Sequence, residues 1–350
     1  MKYTELLNTL EASGKPTHTV DVGSGTRVLL LPHGGRVLGL FGPKGGENFY
    51  WTHPALQTAD TARKFYASGA WENSGGDRTW LSPEADIFFP RYPDVDLSGY
   101  FQPRQLDPGA YRAEPGHNGL RLVNRLSLPL YRSKVTVELE IAKWVEPTAN
   151  PLRHERGIPW GGDVEFAGYE QHTALRLLNG GSARIGLWNL IQMPHGGDMI
   201  VPTYSKTKPR IYFGEIAAED LIERDYAVRW RMRAKGEQKI GIRAAATTGR
   251  AGYLYERGGE TSLVIRNFVV NPAGEYIDTP WMEPEDLGYS VQACNVDSHL
   301  GSFSELEYHV PAIGGGTGIV DCEDVSQVWA FRGARDAITA CATFLLGQLE

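Results

Sequence analysis

Lys134-Val135-Thr136-Val137-Glu138-Leu139-Glu140-Ile141 decides the fold class. Its odd positions are apolar and most of its even positions are polar. That period of two belongs to a strand with one face on a core and the other largely in water. The same short period recurs on both sides of it. Arg27–Pro32 and Arg36–Phe41 are apolar runs split by His33-Gly34-Gly35, which predicts a hairpin. Further strand candidates fall at 119–127, 165–177, 184–192, 210–215, 226–233, 239–245, 252–256, 262–270, 288–295, 303–310 and 326–331. Helical spacing is confined to the two ends, Tyr3–Leu10 and Asp336–Leu346, and to one further segment, Glu215–Glu223. The stretch from about Phe49 to Gln105 is rich in aromatics, Gly and Pro and resists a regular reading; a long surface excursion carrying function is expected there. Runs of strands without intervening helices predict antiparallel sheets packed face to face, an all-β sandwich. No internal repeat of about 20–50 residues is visible, which argues against a propeller or solenoid. Residues 1–350 are therefore expected to form one domain.

Composition supports this reading and narrows the function. Gly 41 and Pro 21 are scattered between short apolar runs without a fixed period, as expected of a chain with many turns. Hydrophobic residues, at 41%, supply ample material for a core. With Lys+Arg 35 against Asp+Glu 42, the net charge of −7 offers no general attraction to nucleic acid. The cysteines, Cys294, Cys322 and Cys341, are too few and too far apart for a disulfide framework or a Cys-based zinc site. The N-terminal stretch Met1–Leu7 has an acidic residue and no long apolar core, and no run approaches a membrane span, so a cytoplasmic location is expected. No GxGxxG, Walker A or HExxH pattern occurs, and no histidines with a carboxylate form a recognisable metal motif. Neither cofactor nor metal is expected.

Four segments could carry chemistry. In Phe303-Ser304-Glu305-Leu306-Glu307-Tyr308-His309, an extended strand puts Phe303, Glu305, Glu307 and His309 on one face and Leu306 and Tyr308 on the other. Three ionisable groups then line one wall, spaced about 6.5–7 Å apart; the same alternation also fits a solvated strand face. In Gly75-Gly76-Asp77-Arg78-Thr79-Trp80-Leu81-Ser82-Pro83-Glu84, Trp80 could form a sugar platform with Asp77 and Arg78 binding hydroxyls, or Trp80 could plug the core. The segment Leu187–Asp198 runs a strand holding Gln192 into a loop holding His195. Lys239 and Arg243 flank Ile240-Gly241-Ile242, so in a strand they share a face and could bind a carboxylate or hydroxyls.

Gly35-Arg36-Val37-Leu38-Gly39-Leu40, then Gly-Gly-Asp-Arg-x-Trp-x-x-Pro-Glu at 75–84, then Glu305-Leu306-Glu307-Tyr308-His309-x-Pro311-Ala312 occur in this order. Together they resemble the galactose mutarotase-like (aldose 1-epimerase-like) superfamily, and most nearly its uncharacterised bacterial branches. The resemblance implies a supersandwich of large antiparallel sheets with a sugar cleft. It also implies a general base on a late strand, at the position of Glu307. The family's Asn-His-x-Tyr-Phe-Asn pattern, whose histidine donates to the ring oxygen, is replaced by Leu187-Trp188-Asn189-Leu190-Ile191-Gln192. His195 or His309 would then have to serve as the acid, with Asp77, Arg78, Trp80, Glu305, Lys239, Arg243 and Gln192 around the substrate. The expected activity is epimerisation of a free sugar or sugar acid. The alternatives are hydrolysis or β-elimination on the same fold, the latter drawing on Arg78, Arg243, Tyr308 or His309, and non-catalytic carbohydrate binding.

Overall fold

The computed structural model describes residues 1–116, 119–157, 164–179 and 183–347. Among these, the strands form two antiparallel sheets of ten. The site sheet runs in the order His18–Asp21, Arg27–Leu31, Arg36–Phe41, Asp77–Ser82, Arg184–Pro194, Gly301–His309, Val291–Ser298, Gly236–Ile242 and Arg210–Phe213. Ile313–Gly314 pairs alongside Arg184–Pro194. The back sheet runs Leu221–Glu223, Ala227–Arg231, Asp198–Pro202, Arg250–Arg257, Glu260–Phe268, Asp321–Gly333, Glu165–Leu177, Val135–Pro147, Gly119–Leu130 and Arg112–Gly116.

The alternation read from 134–141 is realised. Val137, Leu139 and Ile141 are buried, while Thr136 and Glu138 are exposed. Leu139, Ile141, Tyr169 and Leu175 of the back sheet meet Leu81, Ile191, Leu306 and Tyr308 of the site sheet in one core. The terminal helices seal the outer faces. Tyr3–Ala12 buries Leu6 and Leu10 with Leu29, Leu31 and Phe41, and Arg335–Leu346 buries Ile338 and Leu345 with Leu263, Ile265 and Phe331. None of the described helices is long and apolar enough to cross a membrane.

Two local expectations fail. Glu215–Glu223 is not a helix: a single turn at Ala217–Leu221 gives way to the strand Leu221–Glu223, which pairs with Ala227–Arg231. Its helical propensity is weak beside the ladder available to it. The stretch 49–105 is not a surface excursion throughout. It contains the fully buried strand Asp77–Ser82, seated between Arg36–Phe41 and Arg184–Pro194. Two glycines make that entry possible. Gly75 and Gly76 have φ of +98° and +75°, and a Cβ on either would lie 2.3 or 2.4 Å from the carbonyl oxygen of Trp51 or Val37.

Candidate active site

The outer face of the site sheet carries the candidate residues because each strand alternates. From Gly301–His309 come Phe303, Glu305, Glu307 and His309; from Asp77–Ser82, Arg78 and Trp80; from Arg184–Pro194, Trp188 and Gln192; from Gly236–Ile242, Glu237 and Lys239. This face is covered rather than solvated. Glu305 is 7% and Glu307 1% exposed. The covering residues come from outside the central strands: Trp71, Tyr100 and Trp281 from loops, Glu84 from a short helix and Phe213 from the edge strand Arg210–Phe213 close a cavity whose floor includes Arg78, Trp80, Trp188, Lys239, Glu305 and Glu307.

Two ion-pair systems lie side by side on that floor. Arg78 Nη2 donates to Glu305 Oε1 at 2.9 Å and lies 4.1 Å over the Trp80 ring, and Gln192 Nε2 donates to the same Glu305 oxygen at 2.9 Å. Neither bond uses Glu305 Oε2. Lys239 Nζ is 3.1 Å from Glu84 Oε2 and 3.5 Å from Glu307 Oε2, and sits 4.3 Å over the Trp188 ring. Trp188 Nε1 donates to Glu307 Oε2 at 2.9 Å, while Trp281 Nε1 and Tyr100 OH donate to Glu84 at 2.8 and 2.7 Å. Glu84 is positioned in turn by Asp278, whose Oδ1 accepts from the Glu84 backbone N–H at 2.6 Å.

Glu307 Oε1 has no hydrogen-bond partner. Burial pushes the Glu307 carboxyl up, to about 8, against the pull of Lys239 and with help from Glu305, Glu84 and Asp278. Burial alone would lower Lys239, yet Glu307 and Glu84 hold it above the ordinary lysine range. The result is a buried carboxyl that keeps its proton at neutral pH beside a permanently charged ammonium.

The remaining sequence candidates lie elsewhere. Asp77 is the neighbour of Arg78, so the alternation turns it to the opposite face. There, between the sheets, it is fully buried and paired with Lys143 at 3.2 Å and with Arg266, and accepts from Tyr169 OH at 3.0 Å. It does not line the cavity. His195 lies past the strand end with Nε2 3.3 Å from the Ala234 carbonyl, beside Asp198 and Arg233 in a separate depression. Arg243 follows the end of Gly236–Ile242, where it bonds Asp286 at 2.6 Å and stacks 4.1 Å from Tyr289. His309 shares the face of Glu307 but does not line the cavity; its ring stacks on Trp188 with centroids 5.4 Å apart. Burial and Lys239 push its imidazole well below the usual range. Tyr308 faces the other sheet, donates to Asp324 and does not line the cavity. Trp80 combines both of its readings: it lines the cavity and anchors Nε1 on Asp107 at 3.1 Å. Gln192 is fully buried and supports Glu305.

Sequence reasoning missed Trp71, Glu84, Tyr100, Asp278 and Trp281, and quoted Trp188 without using it. Glu84 ended a quoted motif, and Trp188 shares alternation with Gln192; nothing periodic marks the others. Cys294, Glu305 and Glu307 have ligand atoms within 4.8 Å of one another, the one such buried group among the described residues. Burial pushes the Cys294 thiol well up, and Lys239 already supplies the positive charge beside Glu307, so these residues are poorly suited to a metal.

Among solved structures, a candidate aldose 1-epimerase from Escherichia coli K12 is similar, at 12% identity over 92% of this chain and 100% of that one, with a TM-score of 0.52. A galactose mutarotase-like protein from Lactobacillus casei ATCC 334 aligns at 9% identity over 90% and 100% of the two chains, with a TM-score of 0.48. The protein thus has the galactose mutarotase-like β-sandwich fold expected from its motifs. No curated protein matches its sequence. The family of unknown function DUF6786 matches residues 1–348, and the chain belongs to it.

Proposed function

We propose that the protein is a carbohydrate-active enzyme of the aldose 1-epimerase type, interconverting the anomers of a free sugar bound in the aromatic cavity. The observation that carries this reading is the unpartnered Oε1 of Glu307, a carboxyl on the cavity wall that is 1% exposed. Leaving such an atom unpaired costs about 1–3 kcal/mol, which a sugar oxygen or hydroxyl in the cavity would recover. Indole and phenyl faces around it suit the C–H faces of a pyranose, and the fixed carboxyls suit its hydroxyls.

Anomer exchange needs one proton delivered to the ring oxygen and one taken from the O1 hydroxyl. Both oxygens are bonded to C1, so two groups side by side on one wall can serve both. Glu305 and Glu307 meet that requirement, with oxygens within 4.8 Å of each other. Glu307, which holds its proton at neutral pH, gives it to the ring oxygen as the C1–O5 bond breaks. Glu305, whose Oε1 is bound by Arg78 and Gln192, takes the O1 proton through Oε2 as the C1–O1 double bond forms. After rotation of the aldehyde group the ring closes with both transfers reversed, and each carboxyl ends as it began.

This arrangement favours anomer exchange over bond cleavage. Glycosidases place two carboxyl groups on either side of the scissile bond, about 5–5.5 or 6.5–9.5 Å apart; neighbouring residues of one strand face do not flank a bond. The test is anomer exchange by magnetisation-transfer NMR on a panel of aldoses, comparing wild type with Glu307→Gln and Glu305→Gln. Each variant is expected to lose about 100-fold or more in rate while still binding the sugar. Undiminished exchange by Glu307→Gln overturns the reading.

A further inference from the structure

We infer that the substrate carries a protonated amino group, read by Glu237 at the cavity wall, and that sugar acids and sugar phosphates are excluded. The inference rests on reading the cavity as a sugar site and names the class of sugar. Its basis is the charge inventory of the lining. Four carboxyl groups, Glu84, Glu237, Glu305 and Glu307, face two cations, Arg78 and Lys239. Both cations are already committed, Arg78 to Glu305 and Lys239 to Glu84 and Glu307. An anionic substituent entering the cavity would find no free cation and would meet surplus negative charge in a dry, poorly screened space.

Glu237 is the member of the set left over. It is half-buried on the strand Gly236–Ile242, two residues from Lys239 and therefore on the same face. Among the described residues no cation pairs with it, and no donor is assigned to its carboxylate. It stands about 6.5–7 Å along the strand from Lys239, clear of the Glu305–Glu307 pair that the proposed proton transfers use. The fully buried, unpartnered Glu307 Oε1 is an independent sign that the same cavity awaits a ligand. An ammonium suits the lining on a second count: Trp71 and Trp281 present aromatic surface beside the carboxylates, the surroundings in which proteins commonly hold organic cations. A divalent metal suits it less, since the ammonium of Lys239 already occupies the space between Glu84 and Glu307.

The experiment compares, by calorimetric or NMR titration below the amine pKa, binding of galactosamine, glucosamine and 6-amino-6-deoxyglucose with binding of the parent aldoses, the N-acetyl sugars, glucuronate and glucose 6-phosphate. At least one amino sugar is expected to bind about tenfold or more tighter than its parent and its N-acetyl form, with the two anions binding weakest. Glu237→Gln is expected to abolish that preference, so that the amino sugar binds no tighter than its parent aldose. Equal or tighter binding of glucuronate or glucose 6-phosphate overturns the inference, as does a preference that survives Glu237→Gln. Amino-sugar binding without anomer exchange would defeat the enzyme reading and leave this one standing. Anomer exchange of neutral aldoses with no amine preference would do the reverse.

Discussion

Asp77 and Arg78 are adjacent in sequence and belong to two different buried ionic clusters, one on each face of the same strand. Asp77 looks inward, where Lys143, Arg266 and Tyr169 from three back-sheet strands occupy both of its oxygens. Arg78 looks outward into the cavity cluster of Glu305, Glu307, Lys239 and Glu84. Each cluster is unbalanced in the opposite sense. Inside, two cations surround one carboxylate, and burial pushes Lys143 down to about 8. Outside, carboxyls outnumber cations, and burial pushes Glu307 up to about 8. The inner cluster is closed by protein on every side of Asp77 and joins the sheets. The outer one keeps an unused oxygen and opens on a cavity. Burial of charge is common to both; the unused oxygen separates a fastening from a site.

The comparison breaks first at Asp77. Asp77→Asn leaves Lys143 and Arg266 buried without their counter-charge, and is expected to cost about 3–5 kcal/mol of stability in urea unfolding. Anomer exchange by the fraction that remains folded should be nearly intact. A stable but inactive Asp77→Asn protein would instead place Asp77 in the chemistry.

The same pair of residues shows how much was legible beforehand. The period of two at 134–141 and 303–309 carried the sandwich and put Glu305 and Glu307 on one wall, because strand geometry forces alternation whatever the partners. Applied to 77–80, that rule also separates Asp77 from Arg78, which the motif reading sets together on the hydroxyls of a sugar. Lys239 was legible by alternation, whereas Arg243 was misplaced because the strand ends at Ile242. Trp71, Tyr100 and Trp281 were beyond reach. Their positions depend on where irregular segments cross the sheet, and no local period encodes a contact between residues so far apart in the chain.

Glu307 sharpens the comparison through pH. Its folded value is raised above its unfolded one, so its contribution to stability is complete below about 4.5 and is lost as pH rises through about 8. Glu307→Gln does not titrate. The stability of the variant relative to wild type should therefore climb across that window and level off above it, with a gain of order 5 kcal/mol at high pH. Denaturant midpoints for both proteins at pH 5, 7 and 9 (roughly spanning the window) measure this. A flat difference would mean that Lys239 keeps Glu307 ionised throughout, and the proton for the ring oxygen would have to come from elsewhere.

The smallest expected effect separates the clusters by a single donor in each. Trp188→Phe keeps an aromatic face under Lys239 and beside His309 but deletes the N–H that donates to Glu307 Oε2 at 2.9 Å. Losing a donor to the charged form pushes the carboxyl further up, so the limb on which exchange falls with rising pH should move to higher pH. Tyr169→Phe deletes the hydroxyl that donates to Asp77 at 3.0 Å. Both substitutions should cost about 1–2 kcal/mol of stability or less, since each removes one hydrogen bond to a buried carboxyl group. Only Trp188→Phe should move the pH–rate limb, because only its partner carboxyl gives up a proton to the sugar. If Tyr169→Phe moved it equally, the two faces of the strand would be coupled, and the inner cluster would be part of the catalytic apparatus rather than its foundation.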